Sequence, residues 1–257
     1  DGVNIPCLPT GLTSGKISTG AAITSSLISS SHFLHIPHIN FNPKSKLVSR
    51  ANFSVAPSVA VSKDLILRIN KAEKIVGNII VEKVKKKTYQ VLVGNLKNPK
   101  NIIFSHFDSV GTGAIDNASG TAVMMEIVKN PKYLNENLFV FDGNEEMSYD
   151  SPVYWGKGYR NFEKKYSKQI QKAKKLLVID CVGYKETNIL CSKKLDQKII
   201  KLALPIKNIR KFSKKIKLIT SDYDSLMRVY HSDSDQPKLI SKKYLLQALN
   251  YLCKEMI

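Results

Sequence analysis

The chain has no apolar run approaching the roughly 18 residues that a membrane-spanning helix needs, so no membrane span is expected. Cysteine is sparse. Cys7, Cys181, Cys191 and Cys253 stand far apart and form no CxxC pair, which argues against a structural zinc site of the ribbon type. Redox compartment does not follow from the count, because a Lys- and Ile-rich composition also suits thermophilic sources, where intracellular disulfides occur. Acidic residues are in the minority, 21 against 40 Lys and Arg, giving a formal charge of +19. The lysines fall in "VEKVKKKTYQ", "NFEKKYSKQIQKAKK" and "IRKFSKKIKL", with neither a nucleic-acid-binding module nor interleaved aromatics. They read as solvated faces of helices and turns. No nucleic-acid partner is expected, and attraction of acidic ligands is a by-product. The chain opens on Asp1 rather than Met. A cytoplasmic location is favoured, with secretion the alternative if an upstream segment has been removed. Nothing in the sequence indicates the oligomeric state.

What is present is enough for one large domain, or a domain with a smaller companion, in 257 residues. Residues 1–75 are rich in Ser, Thr, Gly and Pro, as in "PTGLTSGKISTGAAITSSLISSS", with a short alternating run in "APSVAVSKDLILRI". They are expected to form a small, β-rich accessory region of apical type built from short strands, and residues 76–257 the main domain. Two β-rich stretches, "NIIVEKV" and "TYQVLVGNL", flank a lysine-rich turn and predict a hairpin leading into the main sheet. Apolar runs then alternate with helical patterns: "NIIFSHF", the helix "SGTAVMMEIVK", "NLFVFDG", a long basic helical stretch, and "KLLVIDCVG". This predicts an α/β fold with a mixed, largely parallel central sheet sandwiched by helices, whose ligands collect at the carboxyl ends of the strands.

Chemistry-bearing residues sit where that fold would use them. In "NIIFSHFDSVGTGAIDNASG", His106 closes a strand and Asp108 and Asp116 follow; Glu145-Glu146 comes just after the next strand, and Asp180 just after the one beyond. His231 follows Tyr230 ahead of a C-terminal helix. Singly these are ordinary: Asp and Asn form turns, and paired glutamates are tolerated when solvated. In this order, over residues 77 to 257, they resemble the co-catalytic di-zinc aminopeptidases. That family of zinc exopeptidases has a phosphorylase/hydrolase-like α/β fold and also includes carboxypeptidases and related amidohydrolases.

The resemblance implies two Zn²⁺ ions, replaceable by Co²⁺, with Asp116 bridging them, His106 and Asp180 completing one site, and Glu146 and His231 the other. It makes Glu145 the general base and Tyr230 a donor to the oxyanion, while Asp108 would orient the His106 imidazole. It also implies a cis peptide between Asp116 and Asn117, with Ser119 as a cap of the following helix. The expected function is zinc-dependent hydrolysis of peptide bonds by a metal-activated water, with an aminopeptidase favoured and peptides as substrates. A carboxypeptidase, for which Arg228 is a candidate carboxylate binder, another amidohydrolase or cyclising enzyme, and a non-catalytic relative are the alternatives. One departure concerns the loop after the glutamates. "MSYDSPVY" keeps Ser151 and Tyr154 but lacks the glycines of the family's Gly-Leu-x-Gly-Ser segment. The triplet His32, His35 and His38 in "HFLHIPH" is a rival metal cluster, but Pro37 opposes the regular helix that would align it.

Overall fold

The computed structural model describes residues 23–25, 38–48, 58–75, 85–148, 155–191 and 196–257. It forms two compact units, Asp1–Lys87 with Met227–Ser234, and Thr88–Leu226 with Asp235–Ile257. The first half of the expected hairpin, His32, His35, Ser151 and Tyr154 all lie outside the described residues.

In the first unit, β1 (Ile23–Ser25), β2 (His38–Phe41) and β3 (Ser58–Val61) make a three-stranded parallel sheet. Only part of the alternating run is strand. After Val61 the Ser62 hydroxyl accepts the Asp64 N–H at 3.4 Å, starting a helical turn that continues as α1 (Ile66–Lys71). Ile69 of α1 is buried with Ile39 and Val61, so helical burial of one face overrides the period-two pattern read from the sequence.

The second unit contains a six-stranded sheet formed by β4 (Gln90–Gly94), β5 (Asn101–His106), β6 (Asn137–Asp142), β7 (Lys175–Ile179), β8 (Thr187–Leu190) and β9 (Ile216–Ser221). Their order is β4-β6-β5-β7-β9-β8, the four inner strands parallel and each edge strand antiparallel to its neighbour. The helices are α2 (Gly120–Val128), α3 (Lys157–Lys165), α4 (Ser167–Lys172), α5 (Asp196–Ala203), α6 (Ile209–Phe212), α7 (Tyr223–Leu226) and α8 (Lys242–Met256). None is long and apolar enough to cross a membrane.

Alternate residues of each inner strand enter different cores. Ile102, Phe104, Leu138, Val140, Leu176 and Val178 pack with Tyr159 and Phe162 of α3, Ile170 of α4, Ile200 of α5 and Phe212 of α6. Ile103, Phe139, Phe141, Leu177 and Ile179 pack with Met124 of α2 and Leu252 of α8. Because both faces are covered, the strands read as unbroken apolar runs. Phe104 meets Tyr159 and Phe162 edge-on, with centroids 5.6 and 5.3 Å apart.

The basic stretches are not wholly solvated faces. Lys215 Nζ donates to the carbonyls of Gln171 and Ala173, each at 3.0 Å, and to that of Ile170. It thus places a cation at the carbonyl end of α4, where the helix dipole favours one. Burial, and Lys211 nearby, lower the Lys215 pKa.

From β5 the chain passes through α2 to β6 on one side, then through α3 and α4 to β7 on the other side of β5. The winding therefore reverses at β5 and β7, and the crevice beyond their carboxyl ends is the natural ligand site. His106, the last residue of β5, is in register with Asp142, the last of β6. Phe104 is in register with Val178, which sets Asp180 level with His106.

Phe104→Ala should cost about 3–5 kcal/mol in chemical denaturation, since it removes the ring that α3 packs against. A loss below about 1 kcal/mol would contradict the aromatic packing described.

Candidate metal centre

His106 is buried, and its Nε2 lies 3.1 Å from Asp116 Oδ1 and 3.4 Å from Asp180 Oδ1. Its Nδ1 faces Asp108, 3.0 Å from the main-chain oxygen and 3.5 Å from Oδ1. A neutral ring donating from Nδ1 to Asp108 turns the Nε2 lone pair towards two carboxylates, an arrangement that needs a proton or a cation between them. Burial alone would lower the His106 pKa, but Asp108, Asp116 and Asp180 together raise it well above its usual value.

Asp108 does more than orient the imidazole. Its carboxylate accepts the Glu145 N–H, at 3.1 and 3.0 Å from the two oxygens, and the Glu146 N–H at 3.0 Å. Burial opposes ionisation of Asp108, yet His106 and these amides hold its pKa below the usual value. The glutamate pair is thus pinned to the end of β5. Glu146 Oε1 in turn accepts the Val110 N–H at 3.2 Å. Glu145 is buried, and burial first, then Glu146, Asp180 and Asp116, push its pKa well up against the opposing pull of His106.

Asp116 sits in an irregular turn, Ala114–Ser119, and its peptide bond to Asn117 is cis. A residue the sequence reading missed holds this turn: buried Asp235 accepts the N–H groups of Ile115 at 2.6 Å and Asp116 at 3.1 Å. Asn117 is the other. Its Nδ2 donates to Ser105 Oγ and the Ile179 carbonyl, and its Oδ1 accepts the N–H groups of Gly120 and Cys181. Ser119 occupies the cap position of α2 but its hydroxyl makes no capping bond, donating to the Ile115 carbonyl and accepting the Val182 N–H, while Asn117 takes the Gly120 N–H.

The glycines missing directly after Glu146 come later in the chain. Gly156 N–H donates to the Glu145 carbonyl and Gly158 N–H to the Asn144 carbonyl. A Cβ on Gly158 would lie 1.8 Å from Asp142 Oδ1, so this approach tolerates no side chain.

Ligand atoms of His106, Asp116 and Glu146 lie within 4.8 Å of one another, and so do those of Asp116, Asp180 and Cys181. The two groups share Asp116. The buried Oδ1 of Asp180 makes no hydrogen bond. Carboxylates gathered under cover need positive charge, and this set of imidazole, carboxylate and thiol donors fits a divalent transition metal. Six of the eight residues expected at the site belong to the second unit; Tyr230 and His231 belong to Met227–Ser234, which groups with the first. There their rings stack with centroids 3.8 Å apart and planes 20° from parallel, and His231 has φ 50.

The sequence profile of Peptidase family M28 matches residues 88–228, more than half of the chain. The chain belongs to that family. An M28 peptidase precursor from Shewanella amazonensis shares the fold, at TM-score 0.55 and 14% identity over 86% of this chain and 59% of that one. A zinc aminopeptidase from Bacillus subtilis does so at TM-score 0.52 and 16% identity, over 85% of this chain and 62% of that one. This M28 chain thus spans about three-fifths of either. A glutaminyl cyclase from an Acidobacteriales bacterium aligns at TM-score 0.49 and 21% identity, over 66% of this chain and 71% of that one. No curated protein matches significantly.

Asp108→Ala should lower metal affinity about 10–100-fold, because it removes the carboxylate beside the imidazole and releases the Glu145-Glu146 backbone, although the main-chain oxygen still accepts from Nδ1. Titration with a competing chelator checks this, and an unchanged affinity would contradict the bracing role. Asp142 offers a second test. It is fully buried with one oxygen accepting from Gln90, and burial, assisted by Asp108, raises its pKa from 3.8 to about 6. The folded chain therefore keeps a proton that the unfolded chain loses over this interval, so stability falls as pH rises. In metal-free protein this group should remove about 2–3 kcal/mol between about pH 4 and about pH 6.5. Denaturation curves of Asp142→Asn should lack that part of the slope; equal slopes would contradict the assignment.

Proposed function

We propose that the chain is a di-zinc exopeptidase releasing N-terminal residues from peptides. The observation carrying this reading is the pairing of Glu145 with Glu146 on one Asp108-braced turn, which sets a buried, proton-accepting carboxylate beside a candidate ligand. His106 and Asp180 would hold one ion and Glu146 and His231 the other, with Asp116 shared by both. Zinc, or cobalt in its place, would supply Lewis-acid polarisation of the scissile carbonyl and acidify the attacking water.

The remaining work falls to the chain. Glu145 accepts the water proton on its carboxylate as the oxygen attacks the carbonyl carbon, then gives it to the departing amine nitrogen as the C–N bond breaks. The Tyr230 hydroxyl donates to the developing oxyanion. A site rich in carboxylates also suits a free N-terminal ammonium, which favours an aminopeptidase.

Glu145→Gln should retain two metal equivalents and lower turnover by about 10²–10⁴-fold, whereas Glu146→Gln should lose metal. Metal analysis alongside assays on amino-acid amides, N-blocked peptides and C-blocked peptides checks this. Reversed behaviour of the two variants would exchange their roles. Cleavage confined to N-blocked peptides would replace aminopeptidase with carboxypeptidase, and undiminished turnover in both variants would remove the mechanism.

A further inference from the structure

Cys181 follows Asp180 directly beyond β7, and none of the hydrolytic roles uses it. It is 3% exposed and has φ 54, in the left-handed region that non-glycine residues rarely adopt. Its backbone is fixed on both sides. The N–H donates to Asn117 Oδ1 at 3.2 Å, and the carbonyl accepts the Ser221 N–H at 2.9 Å. So held, its Sγ comes within 4.8 Å of ligand oxygens of both Asp116 and Asp180.

A second observation points to a ligand. Asp180 Oδ1 is buried, makes no hydrogen bond, and lies 3.4 Å from His106 Nε2. Electronegative atoms so placed are ones that a cation draws together. Cys181 thus adds a sulfur beside the carboxylates of Asp116 and Asp180, and thiolate sulfur, like imidazole nitrogen and carboxylate oxygen, is a donor that zinc takes.

We propose that Cys181 is a thiolate ligand of the metal ion held by His106, Asp116 and Asp180. The inference rests on the di-zinc reading of the site. On binding, the S–H bond would break as the Sγ–metal bond forms, the proton passing to solvent, because a thiol that coordinates a divalent cation is deprotonated. A soft donor in an otherwise hard set shifts the site towards thiophilic metals.

The test is cobalt loading of the whole chain, with metal content measured in parallel. Thiolate-to-cobalt charge-transfer absorption should appear in the wild type, persist in Cys191→Ser and Cys253→Ser, and vanish in Cys181→Ser while cobalt stays bound. X-ray absorption of zinc-loaded wild type needs no variant and should show sulfur at about 2.3 Å, averaging half a sulfur per zinc because one of the two ions carries it. Bound metal with only nitrogen and oxygen neighbours, or a band that survives Cys181→Ser, overturns this inference and leaves the di-zinc reading standing. Failure to bind metal at all overturns both.

Discussion

Repulsion among carboxylates is the constraint on which the rest of the structure depends. Asp116, Glu145, Glu146 and Asp180 converge with His106 at one edge of the central sheet, largely out of water. Left alone, such a group would take up protons or drive its members apart. One compensation is visible. Backbone amides brace the loops that carry the carboxylates, through Asp108 on the glutamate pair and Asp235 on the Asp116 turn. The remaining negative charge faces a common space, where a metal would neutralise it.

The sheet makes that convergence possible without long side chains. Parallel neighbours in register end level with one another, so His106, Asp142 and Asp180 occupy equivalent heights on adjacent strands. Reversal of the winding at β5 and β7 keeps crossing helices away from the space above them. The two cores beneath, one under α3 to α6 and one under α2 and α8, hold the strand ends rigidly enough for distances near 3 Å to persist.

Much of this was legible in the sequence because fully buried parallel strands are written as continuous apolar runs. His106, Glu145 and Asp180 could be placed simply by finding where those runs stop. What escaped notice depends on partners distant in the chain. Asp235 reaches a turn some 120 residues earlier, and in the sequence it is one more aspartate in "HSDSDQP". Asn117 resembled a turn former, but its amide ties β5, the end of β7 and the start of α2 together. Gly156 and Gly158 were missed because the intervening residues separate them from Glu145 and Asn144, whose carbonyls they meet. The helix α1 was read as strand because six residues cannot establish a period against a Val-rich lead-in.

Asp108 touches the imidazole with one part of its side chain and two consecutive amides with another. The imidazole and the Glu145-Glu146 turn are thereby geared together: any drift of the β5 terminus carries the turn with it. Under the proposed mechanism, a change at this pivot would alter ion holding and proton transfer together. Tuning of substrate choice is then left to surfaces not mechanically coupled to that pivot.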